Sequence, residues 1–286
     1  MLQILRNKVG SKIIGWLTKS LDAYDEGLID FDRMKDEILP GDVLLVEGQS
    51  QVSRIIQTIT QSRWSHSAIC VGRPADFLAH LPTKLNLEKF TESANAPFVV
   101  EAELGKGTIL EDIEQYRNFR VRICRPNGLS HNDRNQVVEY VCKRLGAEYN
   151  VRQLLDLARF LFPYGILPRR WRSSLFEHNA GPETKIVCST LIADAFQDVN
   201  FPILPILSPN NEGHRRLFKR NAKLFSPSDF DISPFFTIVK FPKYTWNERR
   251  YYHHLPWAKG DKGYPDNPNI APEYQRSNDQ QTKVDV

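Results

Sequence analysis

No apolar run in the chain approaches the roughly 18 residues that a membrane-spanning helix needs, since charged residues recur throughout. A secretory core is missing as well: Lys8, Lys12 and Lys19 interrupt the first apolar residues, and no small-residue cleavage site follows. Cysteine is scarce, with four in 286 residues, at positions 70, 124, 142 and 188. They form no CxxC pair and no Cys/His cluster at metal spacing, so neither a metal site nor any other cofactor is expected. The chain also lacks a strong excess of either charge. A formal net charge of +4 is small for this length and argues against a dedicated nucleic-acid binder. Internal repeats are absent. Together these absences predict a cytoplasmic protein with reduced thiols. A hydrophobic fraction of 41% and a charged fraction of 25% are those of an ordinary globular protein, long enough for an ample core.

The pattern of what is present suggests three parts: residues 1–38 as an N-terminal amphipathic extension, 39–243 as the main domain, and 244–286 as a C-terminal extension ending in a disordered tail. Residues 2–21 read as a helix with Leu2, Leu5, Val9, Ile13, Trp16 and Leu17 on one side and basic residues on the other. Such a helix either packs on its own domain or lies on an anionic membrane surface. Pro40-Gly41-Asp42 marks a turn into a buried strand at 43–46, and 52–61 reads as a short helix. A second strand is predicted over 63–72, with Trp64, His66, Ala68 and Cys70 on one face and Ser65, Ser67, Ile69 and Val71 on the other. Further strands are expected at 98–104, 108–110, 119–124 and 235–241, and helices at 131–145 and 151–161, the latter capped by Asn150. The stretch 162–184 reads as a long loop rich in proline, aromatics and basic residues.

The chemistry centres on Cys188. Val187, Leu191, Ala195 and Val199, with Ile192 and Phe196 beside them, draw the apolar stripe of a buried helix that begins at the cysteine. Free N–H groups and the positive dipole end there favour a thiolate, and Lys185 adds to that field. A free cysteine is more often a small buried hydrophobe, so the reading needs partners. A thiol nucleophile requires an imidazole to take its proton and a group to orient that imidazole. His66 on its strand and Glu101 on another satisfy both needs, whereas His80 and His178 lie in apparent loops. Each has a structural alternative: a strand histidine can be a satisfied core residue, and Glu101 with Glu103 can be a solvated strand face. Arg249 to His254 interleave cations with aromatics, which fits a solvated surface cluster better than a phosphate site.

The order His, Glu, Cys adds information. The segments PGDVLLVEG, WSHSAICVG, FVVEAELGKG and IVCSTLIADAF resemble, in that order, the circularly permuted NlpC/P60-like hydrolases of papain fold, the YiiX/YaeF-like group. LGAEYNVRQLL is similar to that group's Gly-x-x-Tyr-Asp element, with Asn150 in place of Asp, and FSPSDF to its Pro-Ser-Asp element. The resemblance implies an α+β fold, an antiparallel sheet in a small open barrel packed against helices that include the nucleophile helix. It also implies a Cys188–His66–Glu101 triad, with the Cys188 backbone N–H as one oxyanion donor.

The function expected on this basis is a cysteine hydrolase or acyltransferase that cleaves an amide or ester, of an acylated lipid or amide, through a thioester. The rivals are a peptidase or peptidoglycan-type amidase, and a non-catalytic module that keeps the groove. The expected partners are a small-molecule, acyl-lipid or peptide substrate, and a membrane surface if residues 1–21 reach one. No nucleic-acid partner is expected.

Overall fold

The computed structural model describes residues 29–81, 95–103, 106–147, 188–209 and 215–243. Within them an open six-stranded antiparallel sheet lies between two apolar layers. The strands are β1 (Val43–Glu47), β2 (His66–Gly72), β3 (Phe98–Glu103), β4 (Gly107–Asp112), β5 (Arg120–Pro126) and β8 (Phe236–Val239), and their order across the sheet is β4-β3-β2-β1-β5-β8. A separate hairpin pairs β6 (Ile206–Pro209) with β7 (Arg215–Phe218).

The central strand β1 reads Val-Leu-Leu-Val because both of its faces are buried. Val43 and Leu45 join one core, and Leu44 and Val46 the other. On the first face lie helices α4 (His131–Cys142) and α5 (Cys188–Asp198). They pack Val137, Val138, Val141, Leu191, Ile192 and Phe196 onto Ile69, Val71 and Val100. Complete burial of each large apolar side chain stabilises by about 1.5–3 kcal/mol. On the second face Ala68, Cys70, Val99 and Val121 meet Phe31 and Met34 of helix α1 (Phe31–Glu37), together with Ile113 and Tyr116 from a turn of 3₁₀ helix at Ile113–Tyr116. Residues 31–37, at the end of the stretch expected as an N-terminal extension, therefore supply part of the second core. Asp30 caps α1 by accepting from the Arg33 N–H at 3.0 Å.

The Pro-Gly-Asp turn forms as predicted, with Gly41 at φ +85°, a value that glycine adopts without strain. Asp42 is buried there, accepting from the Leu39 N–H and from two nitrogens of Arg125. Helix α2 (Gln51–Thr60) and a one-turn helix α3 (Pro74–Phe77) flank β2. The Ser-Pro-Ser-Asp stretch opens helix α6 (Pro227–Ile232), where Asp229 accepts from the Ser226 N–H at 2.7 Å.

Two expectations change. Strand β2 starts at His66 rather than Arg63, so strand alternation does not reach Trp64. Trp64 packs in the first core with Val43 and Val71, opposite Ala68 and Cys70, and donates from Nε1 to Asp231 at 3.1 Å. The pair Glu101 and Glu103 also splits. Glu103 is half-exposed and paired with Lys106, while Glu101 is only 5% exposed. The helix at 2–21, Asn150 with the helix at 151–161, the loop at 162–184, Lys185, His178, the Arg249–His254 cluster and the tail lie outside the described residues.

Candidate active site

Cys188 is the first residue of α5 and is buried. A helix leaves the N–H groups of its first turn without internal acceptors, so the thiol sits at the positive end of the helix dipole. That turn is pinned by its next residue: the Ser189 hydroxyl donates to the Phe225 carbonyl at 2.6 Å. The apolar stripe of α5 then fixes the helix on the sheet, with Phe196 against Phe201 and Phe236 at ring distances of 5.3 Å.

His66 opens β2, opposite Val46 of β1. Its Nε2 is hydrogen-bonded to Glu101 Oε2, and its ring also meets the Cys188 thiol. With Nε2 committed to the carboxylate, Nδ1 is the nitrogen left for sulfur. Ala68, on the same face of the strand, is small enough to leave the imidazole room. All three residues singled out from the sequence are thus brought together, while His80 lies on a separate turn at Leu78–His80.

Glu101 is anchored by more than histidine. Tyr116 donates its phenol to Oε2 at 2.5 Å, and Gln115 donates Nε2 to Oε1 at 3.1 Å. Both come from the 3₁₀ turn, which has no periodic signature in sequence, and no sequence feature marked either residue. Burial and the Glu101 charge push the Tyr116 phenol well above its ordinary 10.0, so it remains a donor.

The electrostatics follow from this packing. Burial raises the Cys188 thiol, but the His66 charge, its hydrogen bond and contacts from Ser67 outweigh burial and hold the thiol below its usual 9.0. Burial lowers the His66 imidazole, but Cys188 and then Glu101 outweigh it and raise the ring well above 6.5. Glu101 would rise on burial, yet His66, Tyr116 and Gln115 keep it below 4.5. These shifts run in the direction of a thiolate–imidazolium pair with a carboxylate behind it. Cys70, Cys124 and Cys142 have no such partner, and burial pushes each to about 12.

Ser67 is a further member that sequence reasoning had placed only as a face residue. It is completely buried, its hydroxyl has no hydrogen-bond partner among the described residues, and it lies beside Cys188, where its backbone and side chain help to lower the thiol. Strand alternation sends His66 and Ser67 to opposite faces, and α5 packs on the Ser67 face.

Residues 37–158 match a family model described as the permuted papain-like amidase enzyme, YaeF/YiiX, C92 family. The matched span contains His66 and Glu101 and ends before Cys188. No curated protein matches the chain. Among solved structures, the chain is similar to one described as the crystal structure of metalloprotein yiiX from Escherichia coli O157:H7. The two share 15% identity with a TM-score of 0.41, over 71% of this chain and 96% of that one. Among the described residues, no group of three or more His, Cys, Asp or Glu is placed to hold a metal ion. Over residues 37–158 the chain is thus similar to the permuted papain-like amidases of the YaeF/YiiX group, and its antiparallel sheet packed against helices is the α+β architecture expected from the sequence.

Proposed function

We propose that the protein is a cysteine-dependent amidase or esterase working through a thioester, with acylated lipids or amides as its substrate class. The observation that carries the reading is the position of His66, which meets Cys188 with one side of its ring and Glu101 with the other. In this mechanism the Cys188 thiolate attacks the substrate carbonyl carbon, and the Cys188 backbone N–H donates to the oxyanion. The tetrahedral species collapses as His66 gives its Nδ1 proton to the leaving nitrogen or oxygen, and the acyl group stays on sulfur. His66, now neutral, takes a proton from water. The hydroxide attacks the thioester, the carboxylic acid leaves, and the thiolate–imidazolium pair is restored. An amine or hydroxyl acceptor in place of water gives transfer instead. Glu101 orients the imidazole and stabilises its positive form.

The acyl-lipid substrate class rests on composition. Residues 1–21 and 162–184 combine apolar and aromatic residues with cations, which suits an acyl chain beside an anionic headgroup. Iodoacetamide at neutral pH should label Cys188 in the full chain, and Cys188→Ala should lose that label together with turnover of a fluorescent acyl-amide or acyl-ester lipid. A Cys188→Ala protein that labels as strongly as wild type sinks the nucleophile assignment. Turnover of a small peptide library without turnover of acyl lipids overturns the substrate class alone.

A further inference from the structure

The β6–β7 hairpin is short of neighbours among the described residues. It forms its own two-stranded sheet, a unit marginally stable in water by itself. Its pairs Ile206–Phe218 and Leu207–Leu217 lie on opposite faces of the ribbon, and both are exposed, from 51% for Phe218 to 60% for Leu207. Leu224, at 51%, continues the apolar surface beyond the hairpin. Large apolar side chains concentrated on both faces of one ribbon mark a contact surface rather than scattered exposure.

The charge of the same stretch is one-sided. Residues 215–225 carry five cations and no carboxylate. The side chains of Arg216, Lys219 and Lys223 are exposed and make no ion pair among the described residues, while Arg220 is held by Asp229. Of the segments of this same chain that are apolar enough to cover the hairpin, 2–21 carries four cations and no carboxylate, and 162–184 three cations against two carboxylates, so neither is anionic. Charge therefore disfavours them as occupants and favours an anionic one. Apolar residues set among cations match the boundary between acyl chains and headgroups better than they match a purely polar polyanion.

The position of the stretch ties it to the site. Chain 219–225 runs back along α5. Lys219 donates to the Gln197 carbonyl near the end of the helix, and the Phe225 carbonyl holds Ser189, the residue after the nucleophile. The strip thus spans the helix length, about 16 Å at 1.5 Å per residue over its 11 residues. It leads from the exposed hairpin to the turn that carries Cys188.

We propose that the β6–β7 hairpin and the strip through Leu224 dock the protein on an anionic phospholipid bilayer, with Ile206, Leu207, Leu217 and Phe218 entering the interface and Arg216, Lys219 and Lys223 meeting headgroup phosphates. The proposal deepens the acyl-lipid reading of the active site but is tested apart from it. The full chain is floated with vesicles of phosphatidylcholine alone or with about a third phosphatidylserine. Binding is expected only with phosphatidylserine and should weaken with salt. Replacing Arg216 and Lys223 together by Gln should weaken partitioning roughly thirtyfold, at about one headgroup contact each. Leu217→Asp with Phe218→Asp should weaken it at least as much, with circular dichroism and thermal midpoint unchanged. A control that replaces Lys8 and Lys12 by Gln should retain most of the binding. The proposal is overturned if phosphatidylserine vesicles do not bind, if the hairpin variants bind like wild type, or if only the Lys8/Lys12 variant loses binding. Cys188→Ala should still bind vesicles, so loss of docking and loss of the catalytic assignment are read separately.

Discussion

Cys142 and Cys188 belong to two helices that pack against each other on the same face of the sheet, and both are buried. Their thiols are displaced in opposite directions. Burial alone takes Cys142 to about 12, whereas Cys188 is held below 9.0 although burial acts on it in the same sense. Two differences account for this. Cys142 closes α4, at the negative end of its dipole, while Cys188 opens α5, at the positive end. Cys188 is also lowered by the imidazole of His66 and by Ser67, whereas Cys142 lies in the apolar core and is raised by burial. In this fold burial raises a thiol, and its neighbours decide whether that shift is reversed.

The strongest way to break that contrast is to remove the charge behind the imidazole. Glu101→Gln keeps the shape and can still bond His66, but it no longer favours the imidazolium. Turnover is expected to fall about 10²- to 10⁴-fold, while Cys142→Ala leaves it unchanged. The pH profile should move as well. The active ion pair needs pH above the Cys188 value and below the His66 value, so kcat/KM against pH is a bell. Its acid limb lies below the ordinary thiol 9.0 and its base limb above the ordinary imidazole 6.5. In Glu101→Gln the base limb shifts toward lower pH. A bell of wild-type position in this variant breaks the assignment of Glu101 as orienter.

The same shifts carry signs for stability. The Glu101 carboxyl is held below 4.5, so it contributes stability present above that pH and lost as pH falls through its lowered value. The His66 imidazole is raised above 6.5, so its contribution is complete below that pH and is lost as pH rises through its raised value. Chemical denaturation of wild type and Glu101→Gln across pH should therefore diverge most between these two limits.

A smaller change sharpens the contrast at sulfur itself. Ser67→Ala removes a buried hydroxyl that lies beside Cys188 and lowers its thiol, and leaves the backbone N–H in place. A hydrogen bond to a charged group contributes about 1.5–3 kcal/mol, so the variant should need roughly tenfold lower proton concentration for the same rate of Cys188 alkylation. Ser67→Thr retains the hydroxyl on a β-branched side chain suited to a strand and should restore the wild-type profile. If Ser67→Ala alkylates with the wild-type pH profile, Ser67 is a packing residue only.

Much of this site could be read from the residues before any coordinates. β1 announces itself as a continuous apolar run, β2 and β3 as strands and α5 through a period-3.6 apolar stripe, and those patterns put His66, Glu101 and Cys188 at the start or middle of regular elements. What escaped reading depends on which elements meet. Ser67 became part of the site only because α5 lies on its face of β2, a tertiary fact that alternation cannot supply. Trp64 falls on the other face because β2 begins three residues later than the strand expected over 63–72. Gln115 and Tyr116 sit on a 3₁₀ turn that has no repeat long enough to recognise.

Tyr116 gives the mildest and most selective test of the difference between the two thiols, because it touches neither. Its phenol shares Glu101 Oε2 with the imidazole and, being raised well above 10.0, donates throughout the working pH range. Tyr116→Phe removes that donor while the ring can still fill its place in the second core beside Phe119. The carboxylate then has one donor fewer and presents more of its charge to His66. The imidazolium gains stability, so the base limb of the kcat/KM profile should move to higher pH, opposite in sign to Glu101→Gln. The loss of a fixed orientation should lower kcat by only several-fold, with little change in KM. Alkylation of Cys142 should remain as slow as before. A shift of the base limb toward lower pH in Tyr116→Phe would show that the phenol acts on His66 by holding the carboxylate's geometry rather than by drawing off its charge.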